Sequence, residues 1–188
     1  MNIILFLLFS FILLILSLFS FKKLSPIPYF PTQKTDINLV IKALNLKNNQ
    51  IIFDLGAGDG LVIFEAAKKA YQKNFDTKFI AVEINPVLIS IMIIKRFFHP
   101  NKKNIKIIYN DIFKIKLKNY HQYFQKLKFQ VSYCIFYLYI SPWSIKKVFI
   151  NLKKQLKNFK IVSYMYPIPF LKPKKLFKGK NQIFLYHI

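Results

Sequence analysis

The stretch Ile51-Ile52-Phe53-Asp54-Leu55-Gly56-Ala57-Gly58-Asp59-Gly60, followed by Leu61-Val62-Ile63-Phe64-Glu65-Ala66-Ala67, decides the fold. An apolar strand runs into a glycine turn, and the turn opens a helix. The chain has 4 glycines, and Gly56, Gly58 and Gly60 all fall in this turn. Glycine weakens regular structure, so a glycine-poor chain keeps it where the backbone needs positive φ or close approach to another group. Strand, tight turn and helix in that order open a βαβ unit, and the helix N-terminus is a place where backbone meets ligand.

Outward from the turn, apolar strands and helices alternate. Upstream, Thr35 or Asp36 is placed to cap a helix with Ile37, Val40, Ile41 and Leu44 on one face. Downstream, the first helix runs to about Gln72 and Lys78–Glu83 is a second strand. Asn85-Pro86 starts a helix with Val87, Leu88, Ile91, Ile94 and Phe98 as its apolar face, ending near His99-Pro100. Ile105–Tyr109 is a third strand, followed by Asn110-Asp111. A weak helix is expected from Asn119 to Leu127 and a long fourth strand over Gln130–Tyr139. Ser141-Pro142-Trp143 begins a helix to about Leu156, and Phe159–Met165 is a fifth strand. Pro167, Pro169 and Pro173 mark a loop before a last strand, Asn181–Ile188. Such alternation implies parallel pairing with right-handed crossovers, and near-continuous apolar strands fit a sheet covered on both faces. The expected fold is α/β: a Rossmann-like, doubly wound, mostly parallel sheet over residues 36–188, with its ligand beyond the carboxyl ends of the strands.

Two segments precede that domain. Ile3 to Phe21 is an unbroken run of apolar residues and serines, followed by Lys22 and Lys23. As a helix it is roughly 28 Å long, close to a bilayer's hydrocarbon core. Residues 1–23 are therefore read as a single-pass transmembrane anchor, and the lysines after it put the domain on the cytoplasmic side. Residues 24–35 form a linker stiffened by Pro26, Pro28 and Pro31. It is either a spacer or a segment in which Pro28-Tyr29-Phe30-Pro31-Thr32 folds back over the site.

The 188 residues carry a net charge of +23, and Arg96 is the only arginine. A basic surface suits an anionic membrane or nucleic acid, but base readout leans on arginine's planar fork, so a sequence-specific reader is disfavoured. The lone Cys134 excludes an internal disulfide or a cysteine-rich metal site and reads as a small core residue. No metal site is expected. His99, His121 and His187 are scattered and read as surface or loop residues. Of 7 acidic residues, Asp54, Asp59, Glu83 and Asp111 fall at or just after a strand end. Glu83 can accept from both hydroxyls of a ribose, and Asp111 from an adenine amine. With the glycine turn they describe an adenosine pocket. A dinucleotide site would read G-x-G-x-x-G, whereas this turn reads G-x-G-x-G behind Asp54, an unwelcome charge beside a pyrophosphate. It suits a ligand carrying an ammonium and a sulfonium. A P-loop is excluded, since no G-K-[ST] follows.

These residues resemble a known family. Asp54-Leu55-Gly56-Ala57-Gly58-Asp59-Gly60 is similar to motif I of the class I S-adenosylmethionine-dependent methyltransferases, with Glu83 as the ribose acid and Asn110-Asp111 on the adenine side. A narrower resemblance is to small membrane-anchored protein-lysine methyltransferases, the group that acts on the c-ring protein of ATP synthase and on the adenine nucleotide translocase. Those place an apolar anchor before a Pro-Tyr-x-Pro-Thr-like segment, as Pro28-Tyr29-Phe30-Pro31-Thr32 does here. The resemblance implies S-adenosyl-L-methionine as cofactor, held by Asp54, Gly56, Gly58, Asp59, Gly60, Glu83, Asp111 and Thr32. It implies methyl transfer to a protein lysine, with a membrane-embedded acceptor in reach. Fourth-strand Tyr137 and Tyr139 share a side, and with Tyr29 they are the acceptor-channel candidates; one or both strand residues are otherwise core. The Asp/Asn-Pro-Pro-aromatic motif of nucleic-acid amino-methyltransferases is missing, so RNA or a small molecule is the lesser alternative as acceptor. A non-catalytic membrane-bound domain is the other alternative.

Overall fold

The computed structural model describes residues 3–20, 29–117, 120 and 133–188. The expected weak helix 119–127 and the start of the fourth strand, 130–132, lie almost wholly outside them. In chain order the elements are α1 (Ile3–Ser20), a 3-10 turn (Lys34–Asp36), α2 (Ile37–Leu44), β1 (Gln50–Leu55), α3 (Leu61–Gln72), β2 (Thr77–Glu83), α4 (Pro86–Phe97) and β3 (Ile105–Tyr109). They continue with β4 (Tyr133–Leu138), α5 (Pro142–Gln155), β5 (Phe159–Tyr164), β6 (Lys175–Lys178) and β7 (Gln182–His187).

The strands form one sheet of 7 in the order β3-β2-β1-β4-β5-β7-β6. β1 pairs in parallel with both β2 and β4, and β7 runs antiparallel to β5. Strand order reverses at β1, so β1 and β4 end side by side at the switch point where such sheets hold ligands. Every residue of β1 is buried because apolar layers cover both faces. Ile51, Phe53, Phe136 and Ile161 point into the layer under α5, while Ile52, Phe79, Ile135 and Val162 point into the layer under α2 and α3.

α1 is described over Ile3–Ser20, 18 residues that are all apolar or serine. Among the described residues no helix is long and apolar enough to cross a membrane. Three local expectations are corrected. The strand β6 stands where the prolines suggest only loop; its four residues, Lys-Leu-Phe-Lys, are short and lysine-flanked, the habit of a protected sheet edge. α4 does not bury the face its pattern suggests: Leu88 and Met92 go into the core, while Ile91, Ile94 and Phe98 stay exposed.

The third correction concerns Asp36, which makes no cap hydrogen bond to α2. Its carboxylate accepts instead from the Tyr164 hydroxyl (2.8 Å) and the backbone N–H groups of Lys180 (2.7 Å) and Asn181 (2.9 Å). The β6–β7 hairpin is thereby fastened to the 3-10 turn. Gly179 is required there, because a Cβ would run into the Asp36 carboxylate. Burial pushes the Asp36 pKa up, but the Asn181, Tyr164 and Lys180 donors outweigh it and hold it below the ordinary carboxylate value. A lowered acid contributes stability that is present above the unfolded-state pKa of about 3.9 and is lost as pH falls through the folded value. Asp36→Ala leaves those donors without an acceptor and is expected to cost about 2–4 kcal/mol at pH 7, with a smaller deficit against the parent at pH 3. Chemical denaturation of both chains at the two pH values measures this; an equal deficit at both would refute the linkage.

Candidate functional site

The turn between β1 and α3 is clamped from below. Gly56 and Ala57 donate their N–H groups to the Val82 carbonyl on β2 (2.9 and 3.0 Å), and Gly60 donates to Ala57 (2.9 Å). Gly58 donates to Glu83 Oε2 at 2.8 Å, and Leu61 to Asp59 Oδ1 at 3.2 Å. Gly58 has φ of +59° and lies against the Tyr29 ring, so a Cβ there would be both strained and 2.5 Å from that ring. The sequence suggests backbone N–H groups free to meet a ligand. At Gly56, Ala57, Gly58, Gly60 and Leu61 they are committed within the protein, and the turn is no cradle for a phosphate.

Above the turn opens a cleft of about 750 Å³ counted out to its mouth. Asp54, Gly56, Gly58, Asp59, Glu83, Asp111 and Thr32 line it, and so do the channel candidates Tyr29, Tyr137 and Tyr139. Gly60 alone of the candidates lies off its wall, at the start of α3 with φ of +80° and packed toward Phe64 and Met92. The linker segment Tyr29–Thr32 folds back to form one wall. Ile84, Leu88, Ile112 and Ile140 add apolar surface that the motif does not single out. Their signal is position: each follows a strand end or opens the next helix.

The carboxylates differ in environment. Asp54 is 2% exposed, and its pKa is pushed well above the ordinary value by burial first, then by the charges of Glu83 and Asp59. Glu83 is fixed by three backbone donors, Gly58 on Oε2 and Ile84 (2.8 Å) and Asn85 (2.9 Å) on Oε1. A carboxylate has about four acceptor sites, so about one remains for a ligand rather than the two that a pair of ribose hydroxyls needs. Asp59 makes an ion pair with Lys95 of α4 at 2.6 Å. Asp111 accepts the Phe113 N–H at 2.8 Å, which orders the turn after β3.

The aromatic wall is tied to the same turn. Tyr29 is held up to about 12 by burial and by the nearby Asp59 and Glu83. The Tyr137 hydroxyl pairs with Thr32 Oγ1 at 2.8 Å; the ring is buried, so this residue is both core and wall. Tyr139 is half-buried and stands edge-on to Tyr164 at 4.9 Å, with its hydroxyl toward the Met165 sulfur (3.7 Å). Met165 has φ of +70°, a strained value for this residue type, at the carboxyl end of β5. Neither Tyr164 nor Met165 is legible as a neighbour of the site, because the contact joins two strands distant in sequence. Cys134 and His99 lie elsewhere: burial raises the thiol to about 11, and His99 pairs with the Phe64 carbonyl at 3.0 Å.

Taken together, the buried acid and the committed N–H groups favour a cationic ligand over an anionic one. No family model matches the chain. It is 26% identical over 125 residues, 66% of its length, to the probable ribosomal RNA small subunit methyltransferase A of Methanosphaera stadtmanae, 41% of which is covered. It is also 26% identical over 94 residues, 50% of its length, to the ATP synthase C-subunit lysine N-methyltransferase of Xenopus laevis, 38% of which is covered. The chain thus spans about two fifths of the curated relatives it matches. Among solved structures, an RNA methyltransferase from Salinibacter ruber in complex with S-adenosyl-L-homocysteine matches with a TM-score of 0.68 and 17% identity, over 85% of this chain and 94% of that one. The sheet order, the glycine turn and this superposition agree: the chain has the Rossmann-like fold of the class I S-adenosylmethionine-dependent methyltransferases.

Proposed function

We propose that the protein is an S-adenosylmethionine-dependent methyltransferase that acts on a lysine amine of a protein. The observation that carries this reading is the set Asp54, Glu83 and Asp111, delivered by successive strand ends to one cleft whose turn offers no phosphate cradle. Asp54 would take the ammonium, Glu83 a ribose hydroxyl and Asp111 the adenine side, with Gly56 and Gly58 giving close approach and Thr32 and Asp59 closing the wall. When bound, the cofactor supplies a methyl group on a sulfonium, already a good leaving group. The protein's work is to align the acceptor and exclude water. A lysine acceptor must first lose a proton, its free pKa being about 10.4, and an apolar aromatic mouth favours the neutral amine. Tyr29, Tyr137 and Tyr139 supply that mouth. We assign no general base.

The lysine reading is supported by the missing nucleic-acid motif after β4 and by the resemblance to the Xenopus laevis enzyme. The exposed apolar side chains of α1 support a membrane setting, with α1 as anchor and an acceptor in the same membrane. Against a soluble lysine-rich acceptor stands the long-range repulsion of +23. A second reading, an RNA acceptor, is favoured by that same charge and by the ribosomal RNA relative. Calorimetry on the full chain in detergent, with S-adenosyl-L-methionine beside NAD, tests the cofactor: micromolar binding of the first and none of the second is expected. Transfer of labelled methyl groups to membrane protein, and not to ribosomal RNA, is then expected. The reverse would replace the acceptor, and binding of neither ligand would overturn the enzyme reading.

A further inference from the structure

The helix α4 is apolar on the side that faces water. It buries Leu88 and Met92 but exposes Ile93 (56%), Ile94 (62%), Phe97 (68%) and Phe98 just beyond it (78%). The last two rings pack edge to face at 5.0 Å. Monomers seldom expose large apolar side chains in such a contiguous group unless it meets something. Cations gather at the same end. Lys95 and Arg96 occupy the last turn of α4, and Lys102 lies over the Phe97 ring at 5.4 Å. Beside them, Ile93, Arg96, Lys103, Lys106 and Tyr109 line a groove between α4 and the β3 edge of the sheet.

We infer that this face of α4, with the cationic groove beside it, docks on an anionic phospholipid bilayer surface. An interfacial surface combines bulky apolar groups with flanking lysines, the first entering the acyl boundary and the second meeting lipid phosphates. Three occupants compete, and each fits less well. A nucleic acid would use the cations but leaves Ile93 and Ile94 without a partner. A second copy brings the same cations and a net +23 against its own kind. The helix α1 already touches α4, and the four side chains are exposed with α1 in place. Apolar side chains of α1 from Ile3 to Leu14 are exposed as well, so both helices offer apolar surface to a membrane. Lys95 also bonds Asp59 in the glycine turn, so a docked α4 holds the cleft at a fixed height over the lipid.

This inference rests on the surface of α4 and not on methyl transfer, so its test needs no activity. The full chain is prepared as W143F, which removes the only tryptophan, with a single new probe at F98W or, as control, F170W beyond the opposite side of β1. Both host positions are exposed, Phe98 against Phe97 and Phe170 against Phe149, and tryptophan keeps an aromatic ring at each. Vesicles of phosphatidylglycerol with chain-brominated phosphatidylcholine are added, and co-flotation confirms that the chain is bound. The inference expects a blue shift and loss of emission at position 98, no change at 170, and a smaller loss when the vesicles are neutral. It is overturned by an unchanged probe at 98 in a chain that floats, by no flotation, or by equal quenching in neutral vesicles. A blue shift that grows with protein concentration without lipid would overturn it in favour of a second copy.

Discussion

Asp54→Asn is expected to weaken S-adenosyl-L-methionine binding about 10–100-fold while leaving the ligand-free chain as stable as the parent or more so. The two halves have one cause. Asp54 is buried, and its proton is held by burial and by the charges of Glu83 and Asp59. A raised acid contributes stability that is fully present below its unfolded pKa of about 3.9 and is lost as pH rises through the folded value. The ligand-free protein thus bears a penalty that grows with pH, and asparagine removes it. A cationic group of the ligand offsets the same penalty, which asparagine cannot exploit. Binding to the parent should release a proton and tighten as pH rises, and both effects should vanish in Asp54→Asn. Calorimetry in two buffers of different ionisation enthalpy, with thermal melts of both chains, measures all of this. A variant that loses stability and keeps its affinity would make Asp54 a core residue and no ligand.

Glu83→Ala is expected to do more harm than loss of a ribose contact. It strips the acceptor from the N–H groups of Gly58, Ile84 and Asn85, each at 2.8–2.9 Å. A buried donor left unpaired costs about 1–3 kcal/mol; two of the three are buried and Ile84 can turn to water, so the loss comes to about 3–5 kcal/mol, a large share of a domain's 5–15. Glu83→Gln separates the roles. It keeps the shape and the oxygen that accepts from Ile84 and Asn85, and sets an amide against the Gly58 N–H. This variant should stay folded, with a modest drop in melting temperature and about tenfold weaker cofactor binding. Denaturant titration of both variants and calorimetry on Glu83→Gln give the answer. Parent-like affinity in Glu83→Gln would remove Glu83 from the ribose.

Glu83 also shows why part of the site is hidden in the sequence. A carboxylate at a strand end, one strand from a glycine turn, is visible as a ligand acceptor. That one of its oxygens already holds the Gly58 N–H depends on β2 lying beside β1, which only the folded sheet supplies. Asp36 is the converse. Its place before an apolar periodic run reads as a cap, yet the stronger partners are donors more than 140 residues away on the β6–β7 hairpin. Helix capping is a local preference worth about 1 kcal/mol, and three tertiary hydrogen bonds outweigh it.

The sequence by itself determined the alternation of strands and helices, the mostly parallel sheet and the glycine turn after β1, because hydrophobic period and glycine steric freedom are local. It placed Asp54, Glu83 and Asp111 at strand ends, and a parallel sheet brings strand ends together. Only the tertiary structure decided the rest. It spent the turn's N–H groups inside the protein, folded Tyr29 over Gly58, set Tyr139 against Tyr164 and Met165, and turned Ile94 and Phe98 of α4 outward. Those outcomes are set by which surfaces meet across the sheet, and a helix's apolar period cannot say whether core, solvent or lipid will cover it.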